Sequence, residues 1–265
     1  MKIFDCFTYC GEDLLLEIRL NTLHSDVDYF VICEMSKFHS GKGREQKFNI
    51  EKFKKFKSKI RYFFIDNPPL HDGDNWKYEN FQRNQLKLGI YDAVDNDIIM
   101  VSDLDEIPNL NNKDFHNYDS CIFLQNFYYF KFNNLCYEGL KWKNKWPGTK
   151  SIKFKYFKTA QNLRELRVKN IPKWRIDQRV NRLIKYEGGW HFSYLMTPEQ
   201  ISEKIQNFAH KEYYSFSNLK HIEKMIKEKK DIFSRNDLKF KTVSIDDTYP
   251  DYIKNNIKVY QKWID

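Results

Sequence analysis

The sequence predicts an α/β fold in which a mostly parallel central sheet is flanked by helices. Apolar stretches of strand length alternate with helical patterns through the first half of the chain. The segments between them are short, as they are where helices connect parallel strands. No internal repeat, low-complexity tract or clear linker interrupts the 265 residues, so we expect a single domain over residues 1–265.

The first half contains four predicted strands and two predicted helices. Apolar runs predict strands at residues 2–7, 27–33, 60–65 and 98–101. One helical face is predicted at residues 13–23, where the apolar positions are Leu15, Leu16, Ile18, Leu20 and Leu23. A second helix is predicted over residues 78–94. Repeated alternation of this kind favours a parallel sheet covered by helices.

The second half follows a different pattern. Residues 121–124 and 127–132 predict two further strands, which we expect to be antiparallel, and residues 135–185 predict mixed strand and loop. Helices are predicted over residues 197–210, 218–229 and 252–264. At the first of these, Thr197, Pro198 and Gln200 occupy the N-cap, N1 and N3 positions, where each is favoured.

Composition narrows the class of protein. Hydrophobic residues make up 41% of the chain and aromatic residues 17%, which argues against disorder. The net charge of +9 permits a nucleic acid, an anionic membrane surface or a phosphate-bearing substrate as partner. Zinc-finger spacing, RNP-like strands and basic-region heptads are absent from the sequence, so we expect no nucleic-acid partner. The basic surface is compatible with peripheral membrane association.

Cysteine usage and the termini bear on location. The five cysteines form an odd set without Cys-X-X-Cys, so we expect no disulfide framework, and Cys33 and Cys121 fit core thiols. The start of the chain shows no signal-peptide pattern, and no apolar run approaches the roughly 20 residues of a membrane span. We therefore expect a cytoplasmic protein in a bacterial or viral setting. The composition, which is rich in Lys, Asn and Ile, fits an AT-rich genome.

Residues 97–108 carry the strongest functional signal. The strand predicted at 98–101 leads directly to Asp103 and Asp105, Glu106 follows, and Pro108 ends the element. Carboxylates at the carboxyl end of a strand lie where α/β sheets bind ligands. Mg²⁺ and Mn²⁺ commonly bridge one or two carboxylates to substrate phosphates. A solvated turn is the alternative, but the flanking strand and proline favour a metal-diphosphate site.

Three separated segments together resemble glycosyltransferase family 17, which includes the enzyme that adds the bisecting N-acetylglucosamine of N-glycans. They are Asp-Ile-Ile-Met-Val-Ser-Asp-Leu-Asp-Glu-Ile-Pro at 97–108, Gly-Gly-Trp-His-Phe-Ser-Tyr at 188–194, and residues 15–20 with 27–34. Trp76-X-X-Glu79-X-X-Gln82-Arg83-Asn84 is also similar to the family pattern. Residues 135–185 match least. The animal enzyme carries a membrane anchor and a stem, and we expect neither in this protein.

The resemblance implies a GT-A type fold with a nucleotide-sugar-binding half at 1–108 and an acceptor-facing half at 109–265. It also implies inverting transfer of a sugar from a UDP-sugar, with UDP-N-acetylglucosamine as first choice, to a glycan acceptor. A divalent cation, Mn²⁺ or alternatively Mg²⁺, would hold the diphosphate. Asp105 would be its direct ligand, Asp103 would contact the ribose or reach the metal through water, and His191 would supply a late ligand.

Four further residues are candidates for binding the nucleotide sugar. Arg83 would meet the diphosphate or pair with Asp103, and a surface salt bridge to Glu79 is the alternative. Glu12 and Glu34 follow or end strands and would hold uracil or ribose. For both residues the alternative is a structural role, in which the carboxylate complements the partial positive charge of a helix N-terminus. Trp190 would stack on a sugar face or belong to the core, and His191 has the same structural alternative.

An inverting transfer also needs a general base on the acceptor side. Glu187 and Asp177 are the candidates, while Glu106 would either orient the metal site or face the acceptor. Two rival functions remain at this stage. One is the same fold using UDP-glucose or UDP-galactose on a surface or lipid-linked glycan. The other is a non-catalytic glycan-binding module.

Overall fold

The computed structural model describes residues 1–169 and 180–265. Within them, eleven strands form one connected sheet. The strands are β1 Ile3–Thr8, β2 Tyr29–Met35, β3 Ile60–Ile65, β4 Ile98–Ser102, β5 Glu106–Pro108, β6 Ser120–Tyr129, β7 Asn134–Glu138, β8 Trp146–Lys153, β9 Arg182–Lys185, β10 Gly189–Ser193 and β11 Lys239–Thr242. The helices are α1 Asp13–Leu23, α2 Asn75–Asn84, α3 Lys141–Asn144, α4 Ala160–Arg164, α5 Pro198–Asn207, α6 Leu219–Glu228 and α7 Asp251–Asn255.

The first half forms a parallel sheet in the order β4-β1-β2-β3, which confirms the predicted strand and helix alternation. The predicted helix over 78–94 was wrong in its bounds. The helix that forms there, α2, begins at Asn75, because the Asp74 carboxylate accepts hydrogen bonds from the backbone N–H groups of Trp76 and Lys77. It ends at Asn84 and continues as a 3₁₀ helix, Gln85–Gly89.

The second half makes the sheet mixed, so the prediction of a mostly parallel sheet was wrong. Among the described residues, five strand pairings are parallel and five are antiparallel. The two strands predicted within 121–132 are one, because β6 pairs with β8, β9, β10 and β7 along its length. The predicted terminal helix is also shorter, with α7 followed by a 3₁₀ turn, Gln261–Trp263.

The hydrophobic core lies on both faces of the sheet. On β1, Ile3 and Phe7 pack on the side of α1, while Phe4 and Cys6 pack on the opposite side with Leu86. Cys33 and Cys121 are fully buried, as predicted, and all five cysteines are free thiols. Across the described residues, none of the helices combines the length and the apolar character needed to cross a bilayer.

Candidate active site

A cavity of about 440 Å³ opens at the carboxyl ends of the parallel strands. The chain leaves β1 toward β2 and β3, then returns to β4 on the other side of β1. Ligands bind at such a reversal of strand order in open α/β sheets. Thr8, which ends β1, and Asp103, which follows β4, both line the cavity. Its remaining walls include residues of α1, α2, α4, α5, β8 and β10 and of the loop after β2.

The acidic turn, residues 103–106, is held from below by a buried arginine. Arg19 is fully buried and makes two hydrogen bonds, of 2.7 Å and 2.6 Å, to the Asp5 carboxylate. Its Nη1 donates to the carbonyl oxygens of Asp103 and Leu104 at 3.1 Å and of Glu106 at 2.9 Å. The Arg19 guanidinium therefore fixes the backbone that carries both aspartates.

Asp103 lies between two arginines. Arg164 Nη2 is 2.8 Å from Asp103 Oδ2, and Arg83 Nη2 is 3.3 Å from Asp103 Oδ1. Burial would raise the pKa of Asp103, but the charges of Arg164 and Arg83 lower it well below its usual range. The side chain is 43% exposed to the cavity, so an ionised carboxylate is available there.

The Glu106 carboxylate is buried and engages four donors. Its Oε1 accepts from Trp146 Nε1 and Arg164 Nη2, each at 2.7 Å. Its Oε2 accepts from Arg164 Nη1 at 2.7 Å and from the backbone N–H of Asp103 at 3.0 Å. These bonds join the acidic turn to β8 and α4, which brings residues from both halves of the chain together.

Asp105 and His191 lie side by side in the lining of the cavity. His191 Nε2 is 3.6 Å from Asp105 Oδ2, and the imidazole packs against Phe127 and Trp146, with ring centroids 4.9 Å and 5.1 Å away. Its Nδ1 is buried without a hydrogen-bond partner. Burial would raise the pKa of Asp105, but His191 and Lys204 together lower it. The two predicted metal ligands are thus adjacent and preoriented.

Lys204 and Glu12 also line the cavity. Lys204 Nζ, from α5, is 3.6 Å from Glu12 Oε1, which stands at the start of α1. Burial would lower the pKa of Lys204, but Asp105 and Glu12 raise it, so the ammonium group stays charged. Glu12 therefore lies in the cavity, as its position after β1 predicts.

The face of α2 that lines the cavity carries Trp76, Glu79 and Arg83. Arg83 contacts Glu79 at i,i+4, donates to Gln161 Oε1 at 2.6 Å and reaches Asp103. The salt bridge and the pairing with Asp103, which were alternatives in the sequence, therefore coexist. The motif at 76–84 places its residues along one wall of the cavity.

Three predicted residues lie elsewhere, and one is not described. The Glu34 carboxylate is buried and accepts from Tyr62, Arg44 and the backbone N–H groups of residues 47 and 48. Trp190 packs in the core and donates to the Thr248 carbonyl at 3.0 Å. Glu187 is 83% exposed, 3.9 Å from Lys145 and outside the cavity lining. Asp177 lies outside the described residues.

Four residues at the site were missed by sequence reasoning: Arg19, Arg164, Lys204 and His39. Arg19 had a readable signal, because a charge within the apolar face of a predicted helix requires a buried partner. Arg164 fell in the segment that was hardest to interpret. Lys204 and His39 carried no local signal, since only the tertiary fold brings α5 and the loop after β2 to the cavity.

A family model described as glycosyltransferase family 17 matches residues 1–244. The chain belongs to glycosyltransferase family 17, and the cavity is accordingly the candidate active site of a glycosyltransferase.

The curated relatives are similar to the chain over a large part of its length. The human beta-1,4-mannosyl-glycoprotein 4-beta-N-acetylglucosaminyltransferase is 27% identical over 226 residues, covering 72% of this chain and 40% of the human protein. The rat and mouse proteins of the same name are 27% and 26% identical. The chain thus spans about 40% of the length of the curated relatives it matches.

Proposed function

We propose that the protein is a metal-dependent, inverting glycosyltransferase that moves N-acetylglucosamine from a UDP-sugar to a hydroxyl group of a glycan. The observation that supports this best is the acidic turn, which presents Asp103 and Asp105 beside His191 at the point where the strand order reverses. The name of the curated relatives supports the choice of sugar and of a mannosyl glycan as acceptor. A GT-A arrangement, with the donor on the 1–108 side, is part of the proposal.

The charge of the cavity supports the need for a cation. Among the described lining residues, six carboxylates face only three permanently positive side chains. The carboxylates are Glu12, Glu79, Asp103, Asp105, Glu106 and Glu165, and the cations are Arg83, Arg164 and Lys204. A nucleoside diphosphate would add further negative charge to this surface, which a divalent cation would offset.

The residues present fit such a cation. Asp105 Oδ2 and His191 Nε2, 3.6 Å apart, are too distant for a hydrogen bond, and oxygen and imidazole donors suit Mn²⁺. Within the described residues, no three His, Cys, Asp or Glu side chains converge as a ready-made metal site. Diphosphate oxygens would therefore complete the coordination, as they commonly do for Mg²⁺. When bound, the cation would neutralise the departing UDP.

Other residues of the cavity receive supporting roles in this proposal. Arg83 and Arg164 would contact the diphosphate while holding Asp103, since guanidinium groups match phosphate geometry. Glu106 would orient the acidic turn, because its carboxylate is already fully engaged. Trp76, which is 45% exposed in the cavity, replaces the buried Trp190 as the aromatic face for a sugar.

The proposal is tested by isothermal titration of UDP, UDP-N-acetylglucosamine, UDP-glucose and UDP-galactose, each with Mn²⁺ and with EDTA. We expect UDP-N-acetylglucosamine to bind only with Mn²⁺ and Asp105→Ala to lose that binding. Asp247→Ala removes a fully exposed carboxylate outside the cavity and is the matched control. If the protein binds UDP-glucose or UDP-galactose more tightly than UDP-N-acetylglucosamine, the proposed donor must be replaced by that sugar nucleotide. Absence of binding to all four would refute the proposal and favour a non-catalytic glycan-binding module.

A further inference from the structure

His39 lines the cavity but has no role in the function proposed above. It lies in the loop between β2 and the 3₁₀ helix Ile50–Phe56. Two residues of the α2 motif, Glu79 and Gln82, approach its two ring nitrogens from the same helix. His71, from the loop after β3, places its Nε2 2.9 Å from the His39 carbonyl oxygen and so holds the backbone. The imidazole is therefore a fixed part of the cavity wall.

The hydrogen bonds of Gln82 determine which nitrogen of His39 carries the proton. Gln82 is buried, and its Nε2 donates to the carbonyl oxygen of Cys33 at 3.2 Å. Its Oε1 must then face His39 Nε2, 2.8 Å away, and an amide oxygen can only accept. The proton of the neutral ring consequently resides on Nε2. The lone pair on Nδ1 is left free to accept a proton.

The surroundings of Nδ1 favour a proton acceptor. Glu79 Oε2 lies 3.8 Å from Nδ1, too far for a hydrogen bond, so the carboxylate lies beside this nitrogen without taking up its lone pair. Glu79 also contacts Arg83, and Arg83 reaches Asp103. Glu79 and Arg83 thus lie between His39 and the acidic turn. Among the residues that the structure describes, Glu79 from α2 and His71 from the loop after β3 are the charged or titratable groups that contact His39.

We infer that His39 is the general base of the transfer, an assignment that rests on the function proposed above. The acceptor hydroxyl would give its proton to His39 Nδ1 as its oxygen forms a bond to the anomeric carbon. The bond between that carbon and the β-phosphate oxygen breaks, and its electron pair leaves with UDP. Gln82 is then a positioning residue, because it fixes the tautomer without touching the substrate.

The test measures UDP release from UDP-N-acetylglucosamine with Mn²⁺, with water alone and with a panel of mannose- and N-acetylglucosamine-terminated oligosaccharides as acceptors. His39→Gln should lower kcat by about 100-fold or more while donor affinity stays at the wild-type value. The acid limb of the wild-type pH-rate profile should disappear. Added imidazole should restore turnover to His39→Ala, which a merely structural role would not allow.

Two further variants sharpen the result. His24→Gln removes an exposed histidine at the end of α1 and should keep wild-type turnover. Gln82→Leu should lower kcat less than His39→Gln does, again without a change in donor affinity. Wild-type turnover in His39→Gln would overturn the assignment, as would a wild-type enzyme that binds the donor but releases no UDP. Failure of the wild type to bind any UDP-sugar would instead refute the proposed function.

Discussion

At the scale of single residues, the geometry of the site depends on a side chain that never reaches the cavity. Arg19 lies beneath the acidic turn, and its guanidinium has a partner on each nitrogen. Paired with Asp5, it makes an ion pair with no exposed surface on either side chain. Such pairs contribute little net stability, because desolvation offsets the attraction. The arrangement is better explained by the three turn carbonyls that Arg19 holds in place.

The effect of Arg19 on the stability of the protein should therefore be separable from its effect on the position of the acidic turn. Arg19→Met alone should destabilise the protein by about 3–5 kcal/mol, because Asp5 is left buried and unpaired. The double variant Asp5→Leu/Arg19→Met should recover much of that loss, measured by urea unfolding. It should still bind UDP with Mn²⁺ more weakly than the wild type, because the carbonyls of the acidic turn lack their donor. Wild-type UDP affinity in a stable double variant would contradict a positioning role.

Single residues also show what the sequence can predict about the site. Asp103, Asp105 and Glu12 line the cavity, and the sequence could place them at this edge of the sheet because each follows a strand whose apolar pattern is local. Their roles in binding stay predictions. Trp190 and Trp76 could not be ranked in the same way. Whether an indole is buried depends on its packing partners in the fold, and the structure buries Trp190 and exposes Trp76.

At the scale of elements, β10 carries His191 to the site through an unusually close approach of three strands. It pairs with β5 on one side and β6 on the other. Gly189 has φ +119°, and a Cβ added there would lie 2.2 Å from the Ile107 carbonyl oxygen. Glycines in such a segment can serve the close approach of a backbone to a ligand. In the structure, the backbone that comes close belongs to the neighbouring strands.

Gly189→Ala should therefore destabilise the protein by at least about 2 kcal/mol, since both the backbone conformation and the available space exclude a side chain. Where the variant folds, β10 should shift and weaken Mn²⁺-dependent UDP binding through His191. Gly43→Ala is the matched control, because a Cβ at Gly43 meets nothing within 4 Å. Thermal unfolding and UDP titration of both variants provide the measurement. Equal melting temperatures would show that the close approach is unimportant.

Elements were predictable where the signal was local. The capping box of α5 forms as expected, with Thr197 accepting from the Gln200 backbone and Gln200 bonding back. The sequence could not predict that β6 is one strand rather than two, because the strands that pair with it along its length are distant in sequence. The antiparallel pairings of β8 likewise depend on a long-range return of the chain rather than on periodicity.

At the scale of the whole molecule, the charge of the cavity lining is opposite in sign to the net charge of the chain. The chain carries a net charge of +9, yet carboxylates outnumber permanent cations among the described residues of the cavity. Composition alone predicted a partner for the basic surface and gave no sign of an acidic cavity. In the proposed function the two facts belong together, since a basic exterior would attract an anionic donor at long range while the acidic cavity would require a cation to bind it.

The pH dependence of stability provides a final prediction, which concerns Lys150 on β8. The residue is 7% exposed, its Nζ donates to the Arg164 carbonyl, and burial together with the Arg164 charge lowers its pKa to about 7. Above that pH the unfolded chain still holds the lysine proton that the folded chain has lost. The free energy of unfolding must then rise with pH, with a slope from this group that approaches about 1.4 kcal/mol per pH unit.

Lys150→Met should remove this contribution, because methionine fills similar space and binds no proton. Urea unfolding of wild type and variant at pH 7 and at about pH 8.5 measures the difference in slope, which the linkage relation converts to protons bound. Lys153→Met, on the same strand, gives the reference for losing a lysine that pairs with Asp119 near the surface. Parallel curves for wild type and Lys150→Met would show that Lys150 keeps its proton in the folded protein. In that case the positive charge beside Arg164 would add to the cations that hold the acidic turn.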